Sequence, residues 1–452
     1  MLQNLPQQNP DLYKIISLLN QHENVFLTGF AGTGKSYILK QLKKIYKEKL
    51  VLTSTTGISA VNVGGQTIHS WAGVGCMEEP VDNLANTLVN ATFGSVGKTK
   101  MHIKHCELLA IDEISMLSAY QLEYLDKIFR IVRGLDLPFG GIQVLFIGDF
   151  LQLPPVATKN DLRNFPRRAL FCFQSSIWND LNIKTVILTK IYRQKNYEFS
   201  RILCDFRLGE ISEKDMRILS QRFVSDSPKL SDKLHLFPKK EQVHQFNTYK
   251  LNKLNTPLFE YKSYDNIPIV DGIDDEYSYK RKIFYELNKN CQAERIINLK
   301  VGCRVMLLIN LDFKSGLING SCGTVLELTQ SYAIVKFDNG ITKKIGKMVF
   351  DMQENEISIA TRFQLPLKLA YAVTIHKAQG MTFDEIVIDC NDAFSPGQIY
   401  VGLSRVKTLN GLYITGFNPK KLYPSSKARY FYLKLESEEM QRFKDELYKR
   451  YL

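Results

Sequence analysis

Eight residues, GFAGTGKS from Gly29 to Ser36, constrain this chain more than any other stretch. NVFLT (Asn24 to Thr28) precedes them as a short buried-strand pattern. YILKQLKKIYKEK follows with apolar residues on one helical face and lysines on the other. The segment fits G-x-x-x-x-G-K-[ST]. Such a loop lets backbone N–H groups of Gly29, Ala31, Gly32, Thr33 and Gly34 close on phosphate oxygens, because glycine adopts the required turns. Lys35 neutralises the β and γ charges, and Ser36 offers a hydroxyl to Mg²⁺. The expected cofactors are ATP and Mg²⁺.

Further strand-like runs are LVLT (Leu50 to Thr53), LLAI (Leu108 to Ile111), VLFI (Val144 to Ile147) and Val186 to Leu188, separated by helical stretches such as Ala119 to Val132. The alternation predicts an α/β fold with a parallel sheet covered on both faces. LLAI runs into Asp112 and Glu113. Asp112 suits Mg²⁺ through its water shell, and Glu113 suits a base that aligns attacking water. A base beside the metal acid favours hydrolysis over transfer to a small acceptor. The γ-phosphate also needs cations from outside the loop. Arg193 (LTKIYRQ) and Arg405 (YVGLSRV) supply one from each half of the chain, the arrangement of a motor that closes on ATP.

With 452 residues, two to four domains are expected. No apolar run approaches the ~18–20 residues of a membrane span, and MLQNLPQQNPD lacks a basic start followed by an apolar stretch. The expectation is no membrane association, and no separate targeting or regulatory domain beyond the motor. Eight cysteines without a C-x-x-C pair argue against a disulfide framework or a zinc ribbon and point to a reducing compartment. The formal charge of +13 draws the chain toward polyanions without choosing among them.

After Arg193 the pattern reads as helical and basic through Lys253, then polar and irregular from Pro257 to Tyr279. From Ile296 to Ile345 short β-like runs (CRVMLLI, GTVLEL, YAIVKF) are punctuated by Asn319-Gly320 and Asn339-Gly340, which predicts a small β-barrel. EIVI (Glu385 to Ile388) and LYIT (Leu412 to Thr415) suggest a second α/β unit.

In order, TGFAGTGKS, TSTTGISAVNVGGQTIHSWAG, AIDEISML, LPFGGIQVLFIGDFLQLPPV, LTKIYRQ, LKLAYAVTIHKAQGMTF and YVGLSRV resemble the motif series of superfamily-one helicases. The stretch through Pro138-Phe139-Gly140-Gly141-Ile142-Gln143 is similar to the signature of the petite-integration-frequency (PIF-type) DNA helicases, branch B. It disfavours the RecD-like or relaxase-associated alternative. A nucleotide-driven DNA-binding switch without unwinding is the more distant one.

The resemblance implies two RecA-like P-loop motor domains with parallel sheets and an inserted Src-homology-three-like β-barrel. The implied bounds are 1–190 for the first motor domain, with a small duplex-parting insertion at about 64–101. The second motor domain takes 191–290 and 363–430, the barrel 291–362, and a C-terminal helix 431–452. The implied activity is ATP-dependent 5′-to-3′ movement on single-stranded DNA, with duplex or quadruplex DNA unwound in replication, repair, recombination or telomere maintenance. It also implies a monomeric motor working with replication proteins, in the nucleus or cytoplasm, or in the host cell of a virus.

By the same resemblance, Gln152 (GDFLQL) is a γ-phosphate sensor and Arg193 and Arg405 are arginine fingers. Thr55, Thr56, His69, Thr374 and His376 line the DNA path, and Gly380, beside Gln379, approaches the phosphates. One departure concerns adenine. The glutamine that reads the base in this family aligns with Leu12, and Gln7 and Gln8 lie a few residues earlier.

Other features carry two readings. Trp71 is either a base-stacking residue or a core tryptophan. MHIKHC (His102, His105, Cys106) reads as a helix-to-strand junction rather than a metal site. The lysine-rich helix Lys40 to Lys49 reads as a solvated face. The C-terminal aromatics Tyr430, Phe431, Tyr432, Tyr448 and Tyr451 read as a ring-bearing helix packed back on the motor.

Overall fold

Alternation along β1 (Val25–Gly29) shows how the first sheet is covered on both sides. Val25 and Leu27 pack with Leu12, Ile15, Leu39 and Leu42. Phe26 faces the opposite layer, edge-on to Trp178 at 5.4 Å. The same period of two places Leu108 and Ala110 on one side and Leu109 and Ile111 on the other. With β2 (Leu50–Ser54), β3 (Gln66–Thr67), β4 (Leu108–Asp112), β5 (Gln143–Ile147) and β6 (Lys184–Leu188), the order is β3-β2-β4-β5-β1-β6. Every pairing is parallel, as the alternation predicts. The glycine loop after β1 and the acids at the end of β4 therefore emerge at one edge, where open α/β sheets bind ligands.

This computed structural model describes residues 9–435, apart from 76, 78, 158–160, 162–169, 195, 226–229, 231–232, 269–274, 313–314 and 355–356. Gln7, Gln8, Cys76, Tyr448, Tyr451 and most of the expected C-terminal helix lie outside the described residues. The chain divides into two compact units, one formed by residues 1–231 with 374–452 and the other by 232–373.

In the first unit, helix Pro10–Asn20 starts where the Asn9 side chain accepts from Leu12 N–H at 3.1 Å. Helix Val81–Asn90, within the expected insertion, and helix Gly94–His105, which runs across its end, bury Leu84, Leu88 and Ile103 in the core shared with helix Ala119–Arg133. Phe93, between them, is 89% exposed. Trp71 is buried and meets Phe129 edge-on at 5.9 Å, so of its two readings the core one holds. His102 and His105 sit in the last turn of a helix that ends at Cys106, and no cluster of three metal-ligating side chains occurs among the described residues. No helix among the described residues is long and apolar enough to cross a membrane.

Strands Ile386–Asp389 and Leu412–Gly416 pair in parallel, as EIVI and LYIT suggest. Past them, helix Ser426–Lys434 returns to the first sheet. The Phe431 ring stacks on Phe173 at 4.3 Å and stands edge-on to Phe150 and Trp178. The Tyr432 hydroxyl lies 2.6 Å from Thr28 Oγ1 and accepts from Phe150 N–H at 3.1 Å. Phe431 and Tyr432 thus pack back on the motor as read from the sequence, whereas Tyr430 is exposed.

In the second unit, strands Arg304–Leu307, Cys322–Leu328, Tyr332–Phe337, Thr342–Gly346 and Leu367–Leu369 form a five-stranded antiparallel sheet around Val305, Val325, Val335 and Phe337. Gly340 turns at φ +88° between two of them, where asparagine-glycine signals a hairpin. Two sequence readings are corrected. The stretch 257–279 is not irregular throughout, since Leu258–Lys262 pairs with Ile296–Lys300 and Tyr264–Asn266 pairs with 361–363. The basic region before Lys253 is not wholly helical, since His235–Phe237 is a strand. These short strands find partners far along the chain, so local periodicity carries little of their signal.

Candidate active site

The glycine loop adopts backbone angles that side chains resist, with φ of +147°, +83° and +90° at Gly29, Gly32 and Gly34. Gly32 O accepts from the N–H groups of Tyr192 (2.8 Å) and Arg193 (3.2 Å), and a Cβ at Gly32 would lie 2.6 Å from Arg193 Cβ. Gly32→Ala is therefore expected to distort the loop by about 1–3 kcal/mol of backbone strain. Titration with a fluorescent ATP analogue should show at least about fivefold weaker binding.

Lys35 donates to the carbonyls of Gly29 (2.7 Å) and Phe30 (3.0 Å). Burial pushes its pKa down to about 8, against the pull of Asp149, Glu113 and Asp112. Thr33 Oγ1 donates to Phe30 O, and Ala31 N–H donates to the buried Tyr400 hydroxyl at 2.8 Å. Ser36 lies in the first turn of helix Lys35–Tyr46, whose N-terminus carries no side-chain cap and so presents N–H groups to an anion.

Asp112 is buried at the end of β4 and accepts from Ser59 Oγ (2.7 Å) and Glu113 N–H (2.9 Å). Burial, and then the Glu113 charge, push its pKa up to about 7. Glu113 is left-handed at φ +53°, and its Oε2 accepts from Gln379 Nε2 at 3.0 Å. Asp112 and Glu113 supply adjoining carboxylate oxygens, the Ser36 hydroxyl is a third hard oxygen donor at the start of its helix, and burial leaves Asp112 short of the positive charge that a cation would bring. That chemistry fits a Mg²⁺ ion.

Arg193 and Arg405 also come to this place. Arg193 Nη1 donates to Ser404 O at 3.0 Å. Arg405 is fully buried and donates to Val401 O (2.8 Å), Ser404 Oγ (2.7 Å) and Met381 O (3.5 Å). Burial lowers the pKa of both. Arg405 is pushed down to about 9, with Arg193 as the next cause and Glu113 opposing. The hydrogen bonds described for both guanidiniums end on neutral oxygens. Two like charges so placed are poised for a polyanion.

The remaining expected residues are spread more widely. Gln152 is buried in the turn after β5, its N–H donating to Asp149 O. Gly380 turns at φ +79°, and a Cβ there would stand 3.8 Å from Glu113 Oε1. Thr55 Oγ1 donates to Glu113 O at 2.8 Å, and Thr56 Oγ1 accepts from Ser59 N–H, so both threonines lie beside the acids. Thr374 Oγ1 accepts from Lys377 N–H, and the His376 ring stacks on Phe394 at 5.8 Å. His69 stands apart on helix Ile68–Ala72, where burial lowers its pKa. Leu12 is a core residue.

Sequence reasoning missed a buried network next to the loop. Arg207 donates from Nε and Nη2 to the two Asp149 oxygens, at 2.9 and 2.8 Å. Its guanidinium lies 4.5 Å from the Phe30 ring centre and 4.8 Å from that of Tyr432, whose hydroxyl also reaches Asp149 at 3.2 Å. Burial alone would raise Asp149, but Arg207 and then Lys35 hold it below the usual carboxylate range. The available signal was an aspartate directly after an apolar strand in FIGDF. Nothing local marks Arg207, and the ring pattern around Tyr432 foretells packing but not its hydroxyl's reach to Asp149.

The protein-family model described as PIF1-like helicase matches residues 5–217, and that described as DNA helicase Pif1, 2B domain, matches 284–328. The ATP-dependent DNA helicase Pif1 of Bdellovibrio bacteriovorus is 34% identical over 433 residues, covering 95% of this chain and 92% of that protein. The human ATP-dependent DNA helicase PIF1 is 33% identical over 438 residues, and the match spans 64% of its length. Among solved structures, Pif1 helicase from Candida albicans superposes with a TM-score of 0.81 at 29% identity, covering 94% of this chain and 99% of that one. Bacteroides Pif1 in complex with ADP-AlF3 and ssDNA gives 0.74 at 31% identity, covering 94% and 96%.

Proposed function

Because this chain belongs to the PIF1-like helicase family, we propose that it is an ATP-dependent DNA helicase moving 5′ to 3′ on single-stranded DNA. One observation carries the reading. The phosphate-loop lysine, two carboxylates, the half-buried Arg193 and the buried Arg405, whose described hydrogen bonds end on neutral oxygens, converge within one unit of the fold. The Bacteroides relative, solved with ADP-AlF3 and ssDNA, supports joint use of nucleotide and strand.

In this reading Lys35 and the loop N–H groups hold the phosphates, and Ser36 and Asp112 hold Mg²⁺, which when bound supplies positive charge to the phosphate oxygens. Glu113 orients the attacking water and accepts its proton. Arg193 and Arg405 offset charge on the γ-phosphate as it develops, and Gln152 senses that group. Thr55, Thr56, His69, Thr374 and His376 contact the DNA backbone and bases. Thr374 and His376 sit a few residues before Gln379 and Gly380, so one short segment joins strand to phosphate.

Residues 1–190 form the first motor domain, 191–290 with 363–430 the second, and 291–362 the barrel. The 2B-domain match over 284–328 supports the last. The substrates are single-stranded and duplex or quadruplex DNA. The motor acts as a monomer alongside replication proteins in a reducing, DNA-containing compartment, in keeping with the seven described free cysteines.

Strand displacement on matched tailed duplexes tests the proposal. With ATP and Mg²⁺, the 5′-tailed duplex is expected to be unwound and the 3′-tailed one left intact. Unwinding of the 3′-tailed duplex alone would reverse the polarity. DNA-stimulated ATPase activity with neither duplex unwound would favour a nucleotide-driven switch.

A further inference from the structure

We propose that Gln379 is a catalytic residue, one of two acceptors that orient the attacking water. The inference rests on the reading of Glu113 as the base. Gln379 is 3% exposed, and its Nε2 donates to Glu113 Oε2 at 3.0 Å. Its Oε1 is buried and has no hydrogen-bond partner among the described residues. A buried amide oxygen without a donor is costly, and a native fold keeps one where a ligand supplies the donor.

Hydrolysis supplies one. An attacking water has two O–H bonds and must present a lone pair to phosphorus, so two acceptors are needed to fix its orientation. Glu113 offers Oε1, because Oε2 is engaged by Gln379. The Gln379 carbonyl offers the second, held beside the first by that same bond. Gly380, at φ +79°, carries the backbone past the same carboxylate, since a Cβ there would stand in ordinary contact with Glu113 Oε1 at 3.8 Å.

In the step itself, the water oxygen forms its bond to the γ-phosphorus while the bond from phosphorus to the bridging oxygen breaks. The electron pair leaves on ADP. One water proton passes to Glu113 Oε1 and then to solvent. The other stays on the oxygen that becomes part of inorganic phosphate, released from Gln379 Oε1. Gln379 itself gains and loses no proton.

The position of Gln379 adds a route for control. Residues 374–381 form a run of tight turns in which Ala378 N–H donates to Thr374 O (3.1 Å) and Gln379 N–H to His376 O (3.3 Å). A strand contacting Thr374 and His376 therefore acts on the backbone that aims the Gln379 amide, which gives DNA a handle on the water.

The test uses the full chain with ATP, Mg²⁺ and an unstructured oligonucleotide. Gln379→Met keeps the volume and removes both polar atoms. It is expected to lower kcat for DNA-stimulated hydrolysis by about 10²-fold, the scale of one lost transition-state partner. KM for ATP and oligonucleotide affinity should stay within about twofold. Gln379→Glu restores an acceptor but removes the donor to Glu113, and is expected to be as impaired.

Combined with Glu113→Gln, Gln379→Met should add almost nothing, because both act on one water. Multiplying losses in the double variant, or a kcat for Gln379→Met within threefold of the parent, would overturn the inference. So would parallel loss of ATP binding and thermal stability, which marks a structural role. If Glu113→Gln alone retains full activity, the underlying reading of the base fails first, and the two failures are told apart.

Discussion

Arg405→Ala is expected to reduce DNA-stimulated ATP hydrolysis by about 10³-fold or more, the range lost when an arginine on a transferring phosphoryl group is removed. Burial and the neighbouring Arg193 already depress its pKa to about 9, so the free protein holds this charge at a cost. A γ-phosphate gaining charge in the transition state offsets that cost most, and the arginine's contribution should fall on kcat more than on binding.

Arg405→Lys should recover little, because its three described donor atoms reach Val401, Ser404 and Met381 in directions a single ammonium cannot reproduce. Steady-state ATPase assays at saturating oligonucleotide, with nucleotide and DNA affinities measured in parallel, check this. Retention of more than about a tenth of the parental kcat would remove Arg405 from the transition state.

The second large effect is on stability. Asp149→Asn keeps the shape of the side chain but leaves the Arg207 guanidinium buried without its counter-charge, a change that costs about 3–5 kcal/mol in comparable sites. The first thermal unfolding transition should fall by roughly 6–20 °C. Pairing Asp149→Leu with Arg207→Met should return part of the loss, since an apolar pair in the same volume carries no desolvation penalty.

The pH dependence has a definite sign. Asp149 has a folded pKa below its unfolded value, so its contribution is complete above the ordinary carboxylate range and disappears as pH falls through the folded value. Differential scanning calorimetry should show the stability gap between the parent and the Asp149→Asn variant flat from about pH 5 to about pH 7, shrinking in stronger acid as Asp149 protonates and also toward alkaline pH, where Lys35, held up to about 8 in part by Asp149, loses its proton.

How much was legible depended on how local each signal is. The loop Gly29 to Ser36 and the pair Asp112 and Glu113 announce themselves because each follows an apolar strand within a few residues, and β1 and β4 lie where the alternation puts them. Arg193 and Arg405 were found by asking what charge the phosphates require. Neither argument showed that Asp149, Arg207, Tyr400 and Tyr432 gather beside the loop, although Tyr432 was read as packing back on the motor. Their meaning lies in contacts spanning 58 to 404 residues along the chain. The short strands of the second unit were missed for the same reason. Leu258–Lys262 alternates weakly, and only its partner 34 residues beyond makes it a strand.

Helix Ser426–Lys434 carries a consequence for synthesis. Phe431 and Tyr432 complete a cluster with Phe26, Phe150 and Trp178, residues made roughly 250 to 400 positions earlier. At ribosomal rates of about 5–20 residues per second, roughly 12–50 s pass between the appearance of β6 and that of Tyr432. Throughout that interval the first sheet has its strands and most of its helices but an unsealed aromatic face. A nascent chain of this protein thus presents a chaperone with a long-lived apolar surface, which ends when helix Ser426–Lys434 clears the ribosome and docks.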